Sequence, residues 1–488
     1  MPEYLLPSSL AGLVTHLLLV GAISVRVIMK RPPTGVALGW LLLTVSIPLV
    51  GAGFYLLIGE RRISRGRARG MERLRVDFRQ ITEMAVQRGA TDVDWSGHLP
   101  AARGLDQLGR SMVGSPTVRG STFQLWADTE QILTAIARDV DAARASVLME
   151  FYIWHEGGLA DAVLEAVIRA ARRGVVCRLL VDALGARPWW RGTQPARLRA
   201  AGVDVRPALP VGLLRSLAGR TDLRLHRKIV VIDGCVAWTG SMNLVDPRYF
   251  KQDAGVGQWV DAMVRLQGSV VAPLAGTAAG DWILETGEPL ADLLAHLGLE
   301  HAVPQGPASI QVVPSGPGLS SDGLLQMILA LIHAAQRELV LTTPYLVPDD
   351  SLLRALRGAA GRGVAVRLIV PEIVDSLLTR YASRSYYDDL LEVGVEIHLY
   401  RGGLLHTKSI MVDGALSMFG TVNLDMRSLW LNYEVALFVY DEQFAAQLGR
   451  LQRSYLADAT RLSPEAWRQR SFGTRLLENT LRLASPLL

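Results

Sequence analysis

The signature His-x-Lys-x4-Asp occurs twice in this chain, as His226, Lys228 and Asp233 and again, 180 residues later, as His406, Lys408 and Asp413. Each copy leads into a small turn that ends in an amide, Gly240-Ser241-Met242-Asn243 and Gly420-Thr421-Val422-Asn423. A chain that writes the same chemical set twice is constrained to fold as two similar halves. The doubled set predicts one site assembled from both.

The sequence around the signatures repeats as well. Residues 171–181 align with 360–370, and 201–205 with 393–397. Apolar periodicity predicts the same order in each half: helices 131–145 and 324–337, strands 146–154 and 338–347, helices 159–173 and 351–361, strands 175–181 and 364–370. Strands alternating with helices point to an α/β fold, two αβ repeats packed pseudo-two-fold, each a mixed sheet covered by helices. Between the repeats, 303–322 is rich in Pro and Gly and reads as a linker holding one short strand, 310–313.

The residue types suit phosphoryl chemistry. Apolar alternation after each Lys predicts a strand on which His and Lys, two positions apart, share a face. Imidazole serves as nucleophile or as general acid and base near neutral pH. Lys228, Lys408 and the amides Asn243 and Asn423, with the hydroxyls Ser241 and Thr421, are candidate donors to phosphoryl oxygens. Asp233 and Asp413 complete the catalytic motif but stand at the strand ends, where they read as supports. The remaining histidines form no pattern, no cluster has metal-ligand spacing, and no cofactor is expected.

Two copies of HxKx4D, each followed by G-[ST]-x-N, resemble the phospholipase D superfamily. The run from Gly240 to Trp259, the run from Gly420 to Ser428 and the paired N-terminal apolar segments narrow the resemblance to bacterial cardiolipin synthases of that superfamily. The likeness covers nearly the whole chain, with Thr421 in place of the usual Ser. It implies phosphatidyl transfer between two phosphatidylglycerols through a phosphohistidine, with His226 as nucleophile and His406 as acid and base. It also implies a carboxylate near Asp261 and Glu434 that bonds the catalytic His. From the residues alone the two histidines are interchangeable. Hydrolysis by water, a nuclease of the same superfamily and a non-catalytic lipid-binding scaffold stay open as alternatives.

Half of the 488 residues are hydrophobic and the formal net charge is +5, which favours anionic lipid over a purely soluble partner; nucleic acid is not expected. Cys177 and Cys235 lie in apolar runs and read as buried thiols, not as a disulfide framework. Residues 5–29 are interrupted only by His16 and Arg26, while 35–59 carry no charge. About 20 apolar residues cross a bilayer, so 1–60 reads as a transmembrane hairpin, with Pro48 leaving a re-entrant form open. Arg61, Arg62, Arg65, Arg67 and Arg69 follow, which predicts a multi-pass protein of the bacterial cytoplasmic membrane with a cytoplasmic body. The organisation expected is hairpin 1–60, basic segment and linker 61–120, first repeat 121–302, then linker, second repeat and terminal helix 303–488. The tail residues Trp467, Phe472, Leu476, Leu477 and Leu483 read as a helix docked on the body or laid on a membrane. Oligomeric state is not legible.

Overall fold

A computed structural model of the chain describes residues 10–32, 34–60, 63–64, 66–73, 90–212, 220, 222–319 and 322–485. Its contacts divide it into two units, residues 1–66 with 211–222, and 67–210 with 223–488. The start of the first apolar segment, residues 5–9, and residues 74–89 of the expected basic segment and linker lie outside the described residues.

In the N-terminal unit the first apolar segment forms one helix, Leu10–Lys30. The second does not run through. It forms Thr34–Ser46, breaks at Ile47 and resumes as Pro48–Phe54, closed by a π turn over Tyr55–Gly59. Proline cannot donate the hydrogen bond that a continuous helix needs at its interior, so it serves as the start of a new one. Among the described residues no helix is long and apolar enough to cross a membrane. A small cluster of Ile23, Val27, Ala52 and Tyr55 joins the pieces, and Arg26 and Tyr55 both donate to Glu60 at 2.6 and 2.8 Å. The outward side chains stay apolar: Leu17, Leu18, Leu42 and Leu49 are all exposed.

The larger unit is built on one long sheet. The first repeat supplies β1 (Thr117–Trp126), β2 (Ser146–Phe151), β3 (Val176–Asp182), β4 (Asp204–Ala208), β5 (Arg224–Leu225), β6 (Ile229–Ile232), β7 (Val236–Gly240), β8 (Trp259–Val260) and β9 (Met263–Gly268). The second supplies β10 (Ala308–Ser315), β11 (Glu338–Thr342), β12 (Leu346–Val347), β13 (Ala365–Pro371), β14 (Glu396–Tyr400), β15 (Leu404–Leu405) and β16 (Ser409–Val412). It continues with β17 (Leu416–Gly420), β18 (Leu424–Asp425), β19 (Asn432–Tyr440) and β20 (Ala459–Arg461).

In space the order is β1-β9-β7-β6-β2-β3-β4 in one half and β10-β19-β17-β16-β11-β13-β14 in the other. The two runs match strand for strand. They meet where β1 and β10 pair antiparallel, so the repeats share a single mixed sheet. The strands β2, β6 and β16 flank the site and are buried along their whole length, as is β11 after Glu338. That is the pattern of a sheet with helices on both faces. Helix Leu159–Arg172 shows why: Ala160, Val163, Leu164, Val167 and Ile168 form a stripe at helical spacing that closes on the sheet.

The repeat extends to capping. Gly174 and Gly363 end corresponding helices in left-handed backbone, which costs glycine nothing. One residue earlier, Arg173 and Arg362 reach back to the open carbonyls of the preceding helix ends, at 2.7 Å to Asp141 and 3.1 Å to Ala335.

Two expectations need correction. The linker expected within 61–120 is not irregular throughout: Pro100–Val113 is a helix, opened by proline and closed by Gly114. Arg67 does not stand free as a lipid-facing charge. It is largely buried, donates to the Tyr433 hydroxyl at 3.0 Å and pairs with Glu285.

Candidate active site

Both signatures lie where the chain leaves one half and enters the other. Strand β5 pairs in parallel with β19 of the second repeat, and the His226 amide continues that pairing with a bond to the Tyr433 carbonyl at 2.9 Å. Strand β15 pairs in the same way with β8 of the first repeat, and the His406 amide reaches the Val260 carbonyl at 2.8 Å. His226–Lys228 and 406–408 are therefore short crossings between strands, not the opening of β6 and β16 as the apolar alternation predicts. The backbone of each histidine is used to clasp the other half.

The side chains repeat the exchange. His226 Nδ1 lies 2.8 Å from Glu434, and His406 Nδ1 lies 2.7 Å from Asp261. Each imidazole is thus held by a carboxylate of the opposite repeat. A carboxylate only accepts, so each ring carries its proton on Nδ1 and leaves the Nε2 lone pair free. The carboxylates are fixed in turn by hydroxyls. Ser241 donates to Asp261 at 2.6 Å and Thr421 donates to Glu434 at 2.5 Å, while the Ala262 and Val435 amides donate to those hydroxyls. Ser241 and Thr421, expected to touch substrate, are committed here to orienting the carboxylates.

Lys228 and Lys408 are completely buried, and each ammonium donates to the carbonyl of its own signature histidine. Asn243 accepts the Ile153 amide at 3.2 Å, whereas the buried Asn423 Oδ1 has no hydrogen-bond partner. Asp233 and Asp413 are elsewhere. At the far ends of β6 and β16, in left-handed backbone, each accepts three successive amides at 2.8 Å: those of 144–146 and of 336–338. They staple the turns that enter β2 and β11. Their grouping with the catalytic residues is therefore corrected to a structural one.

Burial sets the electrostatics. It pushes both imidazoles down to about 4, against the pull of Glu434 and Asp261. Both rings are therefore neutral at pH 7. Burial likewise lowers Lys228 to about 7 and Lys408 well below its usual value. Glu434 and Asp261 would rise on burial, yet the facing histidines and lysines hold both below the ordinary carboxylate range. Each lysine feels the carboxylates of both halves, so the two sets form one electrostatic unit. An arriving phosphodiester anion replaces missing solvation for the cations and favours the protonated form of a ring.

Sequence reasoning missed Arg227 and Asn432 as members of the site. Arg227, inside the first signature, donates to the Glu434 carbonyl at 2.9 Å and to the Ser315 carbonyl at 3.0 Å, and pairs with Asp281. Asn432 donates to the second oxygen of Glu434 at 3.1 Å. Trp259 packs 4.4 Å from the His406 ring and Tyr152 4.9 Å from the His226 ring. Tyr345 donates to Asp375 at 2.6 Å, and Lys251 bonds the same carboxylate at 2.9 Å. Trp189 is buried against Trp154, and Tyr386 and Tyr387 are buried too, so these aromatics serve packing.

Known proteins show the same organisation. The family described as cardiolipin synthase, phospholipase D-like domain, matches residues 136–261 and 328–453, one copy per repeat. A family described as phospholipase D-nuclease N-terminal matches 18–60. Cardiolipin synthase A of Erwinia tasmaniensis is 44% identical over 477 residues, covering 96% of both chains. Cardiolipin synthase A of Yersinia pseudotuberculosis is 43% identical over 472 residues, with the same coverage. Among solved structures, phosphatidylserine synthase of Haemophilus influenzae covers 79% of this chain and all of its own, at 15% identity and a TM-score of 0.59. That likeness speaks to the fold.

Proposed function

The chain belongs to the cardiolipin synthase family of phospholipase D-like proteins, and on that premise we propose how its site makes cardiolipin. The substrate is phosphatidylglycerol, twice. His226 Nε2 attacks the phosphorus of the first molecule and the bond to the headgroup glycerol breaks. His406, protonated once the phosphodiester is bound, gives its proton to the departing oxygen. The product of this step is a phosphatidyl-histidine and free glycerol. His406 Nε2 then takes the proton of a headgroup hydroxyl on a second phosphatidylglycerol. That oxygen attacks the phosphorus, the P–N bond breaks, and cardiolipin leaves.

Splitting one displacement into two lowers each barrier. Glu434 stabilises the positive charge that builds on the His226 ring during attack, and Asp261 does the same for protonated His406. Lys228, Lys408, Asn243 and Asn423 face the phosphoryl oxygens, where the neutral, dehydrated site gives each donor more weight than water would. The observation that carries this reading is the reciprocal pairing of each histidine with a carboxylate of the other repeat. It makes two equivalent imidazoles, as an exchange through a covalent intermediate requires. The choice of His226 as nucleophile rests on family resemblance.

The protein is a membrane-associated bacterial enzyme. Its N-terminal unit sits in the cytoplasmic membrane through its exposed leucines, as a bent hairpin with the catalytic unit on the cytoplasmic side. The broken second segment supports a bent form over two straight spans.

The test uses the full chain in liposomes with phosphatidylglycerol labelled in the headgroup glycerol. The expected result is one glycerol released per cardiolipin. Phosphatidic acid as sole product overturns transfer in favour of hydrolysis, and DNA cleavage without lipid turnover overturns both. With a donor labelled instead at phosphorus and quenched in alkali, where the P–N bond survives, trapping of the label on His406 reverses the assignment of the two rings.

A further inference from the structure

The terminal helix Phe472–Arg482 is built inside out. A helix on a protein surface ordinarily turns its apolar stripe inward. Here the inward residue is Glu478, 1% exposed, held by Arg384 at 2.6 Å and by Arg470. Arg482 also turns inward, bonding Asp389 at 2.6 Å with its guanidinium 4.1 Å above the Tyr386 ring. The apolar side chains face out: Phe472 is 79% exposed, Leu476 55% and Leu483 82%. At 3.6 residues per turn these three fall within about 40° of one another, a single stripe.

The helix is thus anchored by ion pairs and offers its apolar stripe to something else. Its partner, helix Leu377–Leu391, does the same at its start, where Ile373, Leu377 and Leu378 are exposed. Between these residues lies Asp375, which holds Tyr345 and Lys251, and the Lys251 ammonium lies 5.4 Å over Trp259, the neighbour of His406. The second apolar set therefore borders the mouth of the site.

We propose that this stripe is a membrane-docking surface of the catalytic unit, and that its occupant is an anionic bilayer. The commitment rests on charge and on size. Arg475 is exposed on the same helix, about 60° round from Phe472, and complements anionic headgroups. A stripe of three side chains falls short of the roughly 800 Å² per partner that a stable protein interface needs, but suits insertion between lipid headgroups. The docking holds the pocket mouth at the surface from which the two lipid substrates come. It rests on the proposed lipid substrate.

A bimane fluorophore on Leu476→Cys, in a Cys235→Ser background of the full chain, reports contact directly. In nanodiscs of equal phosphatidylglycerol and phosphatidylcholine, doxyl-labelled lipid should quench it at least threefold more than a bimane on Glu130→Cys. The double variant Phe472→Glu/Leu476→Glu changes only exposed positions, and an acidic first turn favours the helix. It should raise KM for phosphatidylglycerol in vesicles at least fivefold. Turnover of a short-chain, water-soluble phosphatidylglycerol should stay within twofold. Equal quenching at the two positions, equal loss on both substrates, or a wild-type dimer that the double variant dissolves would each overturn docking. Failure of wild type to turn over either lipid would instead remove the substrate reading, while the quenching result still decides contact.

Discussion

The two repeats build the same reactive parts on different foundations. Behind Lys228 the first half is ionic. Glu150, on β2 opposite Ile229, is completely buried, and burial and the nearby Asp281 push its carboxyl well up. Asp281 in turn pairs with Arg227. Behind Lys408 the second half is neutral. Thr342 stands opposite Ser409 in the same register, Gln452 donates to Ser409 at 3.0 Å, and Thr407 meets the Tyr455 hydroxyl at 3.0 Å. What the halves share is the set a phosphorus atom meets: imidazole, ammonium, hydroxyl and opposing carboxylate. What differs is the insulation behind it, and that is where the two rings can acquire different duties.

The largest effects break the comparison outright. Alanine at His226 or His406 should each lower cardiolipin formation by at least ~10³-fold. The variants should then part company. With a donor lipid whose leaving group needs no proton, His406→Ala still accumulates radiolabelled phosphohistidine in a rapid-quench experiment and His226→Ala does not. Glu434→Gln and Asp261→Asn come next, at ~10²-fold or more in kcat, because each frees the tautomer of one ring. Pre-steady-state bursts should show Glu434→Gln slowing formation of the intermediate most directly. A smaller loss, about tenfold, follows from Ser241→Ala or Thr421→Val, which remove one hydrogen bond to a charged group. Thr421→Ser should be silent in the same assay.

Glu150→Gln sharpens the difference between foundations. Burial beside Asp281 favours the neutral carboxyl, which an amide matches closely, so activity should remain within about threefold and urea stability within ~1 kcal/mol. Were Glu150 a working anion, both would fall much further. The pH dependence is the finest probe. Histidines whose folded values sit near 4 bind fewer protons in the native state than in the unfolded one, whose value is near 6.5. Native stability should therefore decline as pH falls from about 6.5 towards 4, because the unfolded chain takes up protons the native one refuses. Asp261 and Glu434, held low, add loss of the same sign at still lower pH. Urea midpoints measured across that window should show the upper decline shrink by about half in His406→Ala, and equally in His226→Ala if the rings are equivalently buried.

The sequence exposes the chemistry more readily than the connections. His, Lys and the turn amides are legible because spacing is local, and the strands because their apolar runs are. The crossed pairs are not. His226 and Glu434 are 208 residues apart, and His406 and Asp261 are 145 apart, with nothing in either neighbourhood to say which carboxylate serves which ring. A within-repeat partner fits the spacing equally well. The helix Pro100–Val113 was hidden by Gly104 and Gly109, which resemble loop residues. At Gly109 the reason is steric: a Cβ there would come within 2.2 Å of the Gln311 amide, which binds the Ser115 carbonyl. Hydropathy alone reads the second apolar segment as one span, and Pro48, whose missing amide hydrogen left a bent form open, marks where the helix resumes after its break.

The backbone clasp between β5 and β19 has a consequence for how the enzyme comes into being. On the ribosome, His226 emerges long before Tyr433 and Glu434. Until β19 is made and inserted, that imidazole has neither its tether nor its counter-charge, whereas His406 emerges after Val260 and Asp261 and meets partners already made. A half-synthesised chain lying beside the membrane therefore carries no competent nucleophile, and a growing polypeptide is chemically mute towards the very lipids it is destined to join.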